Sequence, residues 1–151
     1  MKIGNTLYFD YQATTPLDSR AFDAMRPYFG DNFGNPHASE HIIGWRAGQA
    51  VERAAGDIAS MIGGESDEII FTSGATEANN LALTGLAKRA AGGQRRRILL
   101  GATEHKCILE IGRMLSQDLG YCVSQIPVDR SGRIDMEALE DTIGDDVLLL
   151  S

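Results

Sequence analysis

At 151 residues, with 43% hydrophobic and 23% charged side chains, the chain is long enough to fold as one domain and far from disordered in composition. A formal net charge of −7 argues against nucleic acid or an anionic membrane as the main partner. The first residues, MKIGNTLYFDYQ, carry no apolar signal-peptide core, no apolar run approaches a membrane span, and Cys107 and Cys122 form no C-x-x-C pair or disulfide framework, so a reducing, cytoplasmic setting is expected.

In chain order, Leu7-Tyr8-Phe9-Asp10 reads as a short strand. Pro16 ends the ATTP segment, and Asp18 or Ser19 caps a predicted helix over residues 20–29. Residues 30–36, GDNFGNP, are turn chemistry. A long amphipathic helix is predicted over 39–62, with Ile43, Ala47, Val51, Ala54, Ile58 and Ile62 on one face. Glu68-Ile69-Ile70-Phe71 reads as a buried strand, followed by the small-residue turn TSGA and a helix over 77–89.

Gly92-Gly93 breaks that helix, and Arg95-Arg96-Arg97 reads as a solvated strand entrance. Ile98-Leu99-Leu100 is a second buried strand ending at GATEH, residues 101–105. Then come a helix over 106–119, a strand over 121–128, a helix over 135–143 and a strand over 147–150. Strand and helix alternate from residue 68 onward, which predicts an α/β fold with a mainly parallel sheet and helical crossovers.

Ligands of such sheets bind outside the carboxyl ends of the strands, where the loops 72–76 and 101–105 are expected. A small-residue turn opening a helix suits an anion, because the first-turn N–H groups and the helix dipole both favour negative charge. The second loop brings His105 to the same edge. Together these point to a phosphorylated cofactor with an imidazole nearby, although SGATE alone also reads as a polar loop before a capped helix.

YFDYQATTPLD, GNPHASEHIIGWRA, FTSGATEANNLALTG and ATEHKCILE, in this order and spacing, closely resemble the cysteine desulfurases, pyridoxal-phosphate enzymes of the class V aminotransferase family. SGRIDMEALEDTI and the closing VLLLS extend the resemblance over nearly the whole chain. It implies the N-terminal part of the large domain of a fold-type I enzyme, with residues 1–40 as a segment near the active site and 41–151 as an incomplete cofactor domain. Ala75 and Thr76 would contact the cofactor phosphate, and His105 would stack on the pyridine ring and can shuttle protons. Ala13 and Thr14 would lie near the substrate; Asn35, His41 and Asn80 match family positions without a definite role.

The implied reaction removes sulfur from L-cysteine, giving L-alanine and an enzyme persulfide for a sulfur acceptor or iron–sulfur scaffold protein, in a homodimer. The family's Schiff-base lysine, pyridine-facing aspartate, carboxylate-binding arginine and persulfide cysteine have no match in residues 1–151. The expectation is therefore an N-terminal portion that is inactive alone. Alternatives are another class V enzyme, such as a selenocysteine lyase, and a non-catalytic partner of a complete desulfurase.

Three further residues have plainer readings. His37 and His41 invite a metal but lack a third ligand, and a helix N-terminus is the better home. Cys107 reads as an inert, buried cysteine on the first turn of a helix, and Cys122 as core. Trp45 reads as core or dimer surface.

Overall fold

The computed structural model describes residues 1–151, which form two compact units, Met1–Ile70 and Phe71–Ser151. In the first, β1 (Lys2–Ile3) pairs antiparallel with β2 (Thr6–Leu7). The two-residue turn between them is Gly4-Asn5, with Gly4 at φ 58. The expected strand over 7–10 is thus replaced by a shorter, earlier hairpin, whose Gly-Asn signal lay in the sequence. Next come α1 (Ser19–Met25), capped by Asp18, and a 3₁₀ turn over Arg26–Phe29. Helix α2 (Ile42–Ile62) is capped by His41, whose Nδ1 accepts the Gly44 N–H at 3.1 Å.

The predicted apolar face of α2 is largely uncovered: Ile43 is 42% exposed, Val51 42% and Ile62 70%. The helix buries Gly44, Ala55 and Ala59 instead. Periodicity identifies an apolar stripe, and here this chain supplies little to cover it. Trp45, read as core or dimer surface, is exposed.

The strand expected over 68–71 does not form. Glu68 closes a reciprocal capping box with Glu65 over a 3₁₀ turn at Ser66–Glu68. Ile69 then takes extended dihedrals, φ −89 and ψ 120. The local preference for extension is therefore realised, but residues 69–72 join no ladder, and Ile70 and Phe71 are exposed.

The second unit carries the predicted sheet. Its elements are α3 (Ala75–Arg89), β3 (Arg97–Gly101), α4 (Lys106–Leu119), β4 (Cys122–Ile126), α5 (Met136–Thr142) and β5 (Val147–Leu150). The strand order is β4-β3-β5, all parallel. As the central strand, β3 is buried on both faces: Ile98 and Leu100 join the core with Leu83 and Ala87 of α3, Ile108, Ile111 and Leu115 of α4, and Tyr121. Leu99, on the opposite face, is also fully buried.

Helix α4 approaches the sheet at Gly112, where an added Cβ would stand 2.5 Å from Leu100 Cδ1 and 3.2 Å from Val123 Cγ1. Gly120, at φ 66, ends the helix. The arginine cluster is indeed a strand entrance, but it is not idle. Arg96 donates to Leu119 O at 2.7 Å and lies 4.5 Å over the Tyr121 ring, while Arg97 pairs with Asp146 at 2.8 Å. Cys122, expected in the core, is exposed, because it opens an edge strand at the sheet's amino end.

Candidate functional site

Helix α3 begins without a side-chain cap. Its N-cap is Gly74, whereas Asp18, His41, His105 and Asp135 cap the other four α-helices. The first bond into the helix runs from Ala78 N–H to Gly74 O at 3.1 Å, so the amides of Ala75, Thr76 and Glu77 have no intrahelical acceptor. No atom lies within 4 Å of the place a Gly74 Cβ would take, so a ligand can approach this backbone. The side-chain bonds of the loop run from Thr72 to Gly74 O, from Ser73 N–H to Glu77, and from Asn80 to Thr76 O; the Thr76 hydroxyl takes part in none of them. Free amides, a free hydroxyl and the positive end of a helix dipole make a seat for an anion.

One amide of the loop is already taken. Ser73 N–H donates to Glu77 Oε2 at 2.6 Å, and this bond, with the Ser73 side chain second, holds the Glu77 carboxyl below the usual glutamate value of 4.5. A lowered value means that the interaction is complete above the ordinary pKa and is lost as pH falls through the lowered one. The Ser73 amide resonance is therefore expected to titrate with a midpoint below 4.5. A midpoint at or above that value would count against the bond.

Helix α4 starts at His105. Its Nδ1 accepts the Cys107 N–H at 3.2 Å and lies 3.1 Å from Cys107 Sγ. Cys107 is half-buried, not fully buried as expected, and Asn79 Nδ2 of α3 lies 3.6 Å from its sulfur. At the other end, Tyr121 O–H donates to Ala87 O at 2.6 Å. The two contacts show that α3 and α4 run side by side in the same sense, with their N-termini together. Ala75, Thr76 and His105 are thus gathered at one end of one unit.

The same end holds the carboxyl edge of the sheet. A cavity of about 400 Å³ is lined there by Gly101, Thr103, Glu104, Ile126, Leu150 and Ser151, among others. Glu104 Oε1 accepts the Ser151 hydroxyl at 3.0 Å. The loop 101–105 follows a strand as expected; the loop 72–76 follows the unpaired stretch. Sequence reasoning passed over Asn79, although it stands four residues after Ala75 and so on the same helix face.

Ala13 and Thr14 belong to the first unit, where Ala13 N–H donates to Asp10 O at 3.2 Å and Thr14 O accepts the Tyr8 hydroxyl at 2.9 Å. Asn35 Oδ1 accepts the His37 N–H at 3.0 Å. His41 is the α2 cap, the helix-terminus role expected of it.

The aminotransferase class-V family profile matches residues 7–151. Among curated relatives, the cysteine desulfurase IscS of Rickettsia bellii (strain OSU 85-389) is 52% identical over 145 residues, which are 96% of this chain and 35% of that protein. The enzyme of the same name from Rickettsia felis (strain ATCC VR-1525 / URRWXCal2) is 48% identical with the same coverage. Among solved structures, a NifS-like protein superposes with a TM-score of 0.87 at 35% identity, over 95% of this chain and 39% of that one. DndA from Streptomyces lividans gives 0.79 at 41% identity, over 95% and 40%. A structure described as SspA in complex with cysteine gives 0.83 at 35% identity, over 96% and 41%. The chain thus spans about a third of the length of the curated relatives it matches.

Proposed function

From the premise that this chain belongs to the aminotransferase class-V family, we propose that it forms part of a pyridoxal-phosphate-dependent cysteine desulfurase. The observation that carries the reading is the uncapped N-terminus of α3 beside His105 at the N-terminus of α4. The Ala75 and Thr76 amides and the Thr76 hydroxyl fit a dianionic phosphate, which needs several donors and no competing cap. Asn80 Nδ2, donating to Thr76 O at 2.8 Å, steadies that first turn. The exposed imidazole of His105 is held at its Nδ1 edge by Cys107 and keeps its other nitrogen for a ring or substrate group beside the phosphate.

Bound pyridoxal phosphate supplies an electron sink for bond cleavage next to the amino-acid α-carbon. The residues of this chain would seat it, orient it and offer an imidazole for proton contacts. L-cysteine as substrate, Ala13 and Thr14 near it, a sulfur acceptor or iron–sulfur scaffold as recipient, a homodimeric assembly and a cytoplasmic setting complete the proposal. The substrate is supported by the names of the relatives. The motif resemblance supports the recipient, the dimer and the two substrate-side residues, and the sequence expectation supports the cytoplasmic setting.

Amide spectra of the full chain test the phosphate seat. Pyridoxal phosphate and inorganic phosphate are each expected to shift the Ala75 and Thr76 resonances saturably, and pyridoxal without its phosphate to leave them in place. Equal shifts with pyridoxal, or none with the phosphorylated cofactor, would overturn the assignment.

A further inference from the structure

We propose that Asn79 and Cys107 are positioning residues that fix which ring nitrogen of His105 carries the proton. The three atoms concerned form a directed chain. A backbone N–H can only donate, so the Cys107 amide, 3.2 Å from His105 Nδ1, requires a lone pair on that nitrogen. The neutral ring must then carry its proton on Nε2.

The thiol adds to the same bias. Cys107 Sγ lies 3.1 Å from Nδ1, and against an acceptor nitrogen the S–H is the donor. A thiol that donates keeps its sulfur lone pairs free to accept. Asn79 Nδ2, 3.6 Å from the sulfur, carries only donor hydrogens and so orients the thiol with its proton toward the ring. Every bond runs one way, from Asn79 through Cys107 to Nδ1, and none competes for Nε2. In this tautomer Nε2 gives a hydrogen bond and accepts none, which sets the sense of any contact that His105 makes with a bound ligand. The functional meaning of this arrangement rests on the reading of His105 proposed above; the tautomer itself does not.

Long-range ¹H–¹⁵N spectra of the full chain with labelled histidine, recorded without cofactor above the imidazole titration, read the tautomer directly. His105→Gln identifies the signal among the three histidines. Wild type is expected to show an unprotonated Nδ1 and a protonated Nε2. Cys107→Ala keeps the backbone donor and removes the thiol, so the ratio should move toward protonated Nδ1 by about fivefold, the effect of one neutral hydrogen bond. Cys107→Ser restores a donor and should restore the ratio, and Asn79→Ala should shift it in the same direction as Cys107→Ala. A protonated Nδ1 in wild type overturns the proposal without any variant. So does an unchanged ratio in Cys107→Ala or Asn79→Ala, or a shift that serine leaves uncorrected. No cofactor is present, so failure here leaves the phosphate seat standing. Conversely, failure of pyridoxal phosphate to move the Ala75 and Thr76 amides would leave the tautomer result intact.

Discussion

Leu115→Ala is expected to destabilise the Phe71–Ser151 unit by about 2–5 kcal/mol. Leu115 is fully buried on α4, in a cluster with Ile98 and Leu100 of β3, Ala87 of α3 and Tyr121. The cavity left by three missing carbons cannot collapse easily, because Gly112 already brings the α4 backbone close to Leu100 and Val123. A domain's total stability is about 5–15 kcal/mol, so one methyl-lined void would remove a large fraction of it. Denaturant titration with unchanged slope and a lowered midpoint is the expected readout. Met61→Ala, at a side chain 85% exposed, should move the midpoint by less than about 0.5 kcal/mol equivalent. If the two variants behaved alike, the α3–α4–β3 core would not be what holds His105 beside the α3 N-terminus.

The parts of this fold legible in the sequence are those whose signals are local. Helix α4 could be bounded to the residue because Gly120 permits the left-handed stop and the apolar spacing of Ile108, Ile111 and Leu115 is helical. β3 was legible because a central parallel strand is apolar on both faces, as Ile98, Leu99 and Leu100 are. Apart from the β1–β2 hairpin, whose local Gly4-Asn5 signal was passed over, the failures are non-local. Ile69 has strand dihedrals, but a ladder needs a partner, and propensity does not say whether one is there. The stripe on α2 was read correctly as apolar, but a hydrophobic face does not name its cover, so its exposure could not be read. Cys122 has a strand-like neighbourhood, yet its place on an edge strand leaves it exposed.

The site divides in the same way. The proposed anion seat is a local object: a small-residue turn, a helix start and no capping side chain, all within Thr72–Glu77. His105 was found through the loop after β3 and the motif around it. The tie between them was not legible, because the Asn79–Cys107 contact joins residues 28 apart in sequence. It exists only once α3 and α4 lie side by side.

Incubated with pyridoxal phosphate and L-cysteine, this 151-residue polypeptide is expected to form alanine no faster than the free cofactor does. The argument rests on where its amines and thiols stand. Of the three lysines, Lys2 lies in the β1–β2 hairpin of the first unit. Lys88 lies in the last turn of α3, at the opposite end from Ala75, and Lys106 in the first turn of α4. Of the two lysines in the second unit, Lys106 is the one near the proposed seat, and in the motif resemblance it is not the Schiff-base lysine. Of the two cysteines, Cys122 pairs in register with Arg97 at the amino end of the sheet, away from the Gly101 edge. Cys107 is half-buried, with its sulfur engaged by His105 and Asn79, an arrangement that orients an imidazole rather than presenting a nucleophile. Loss of a nucleophile alone costs about 10⁶ in turnover where this has been dissected, and here the carboxylate-binding arginine of the family is also without a match. Alanine quantified against a cofactor-only control, together with alkylation mapping of Cys107 for persulfide, decides the matter. Alanine above the control with persulfide on Cys107 would show that this thiol is the acceptor of the substrate sulfur. Its contacts with His105 and Asn79 would then be those of an activated nucleophile, and the positioning role argued for it would fall together with the expectation of inactivity.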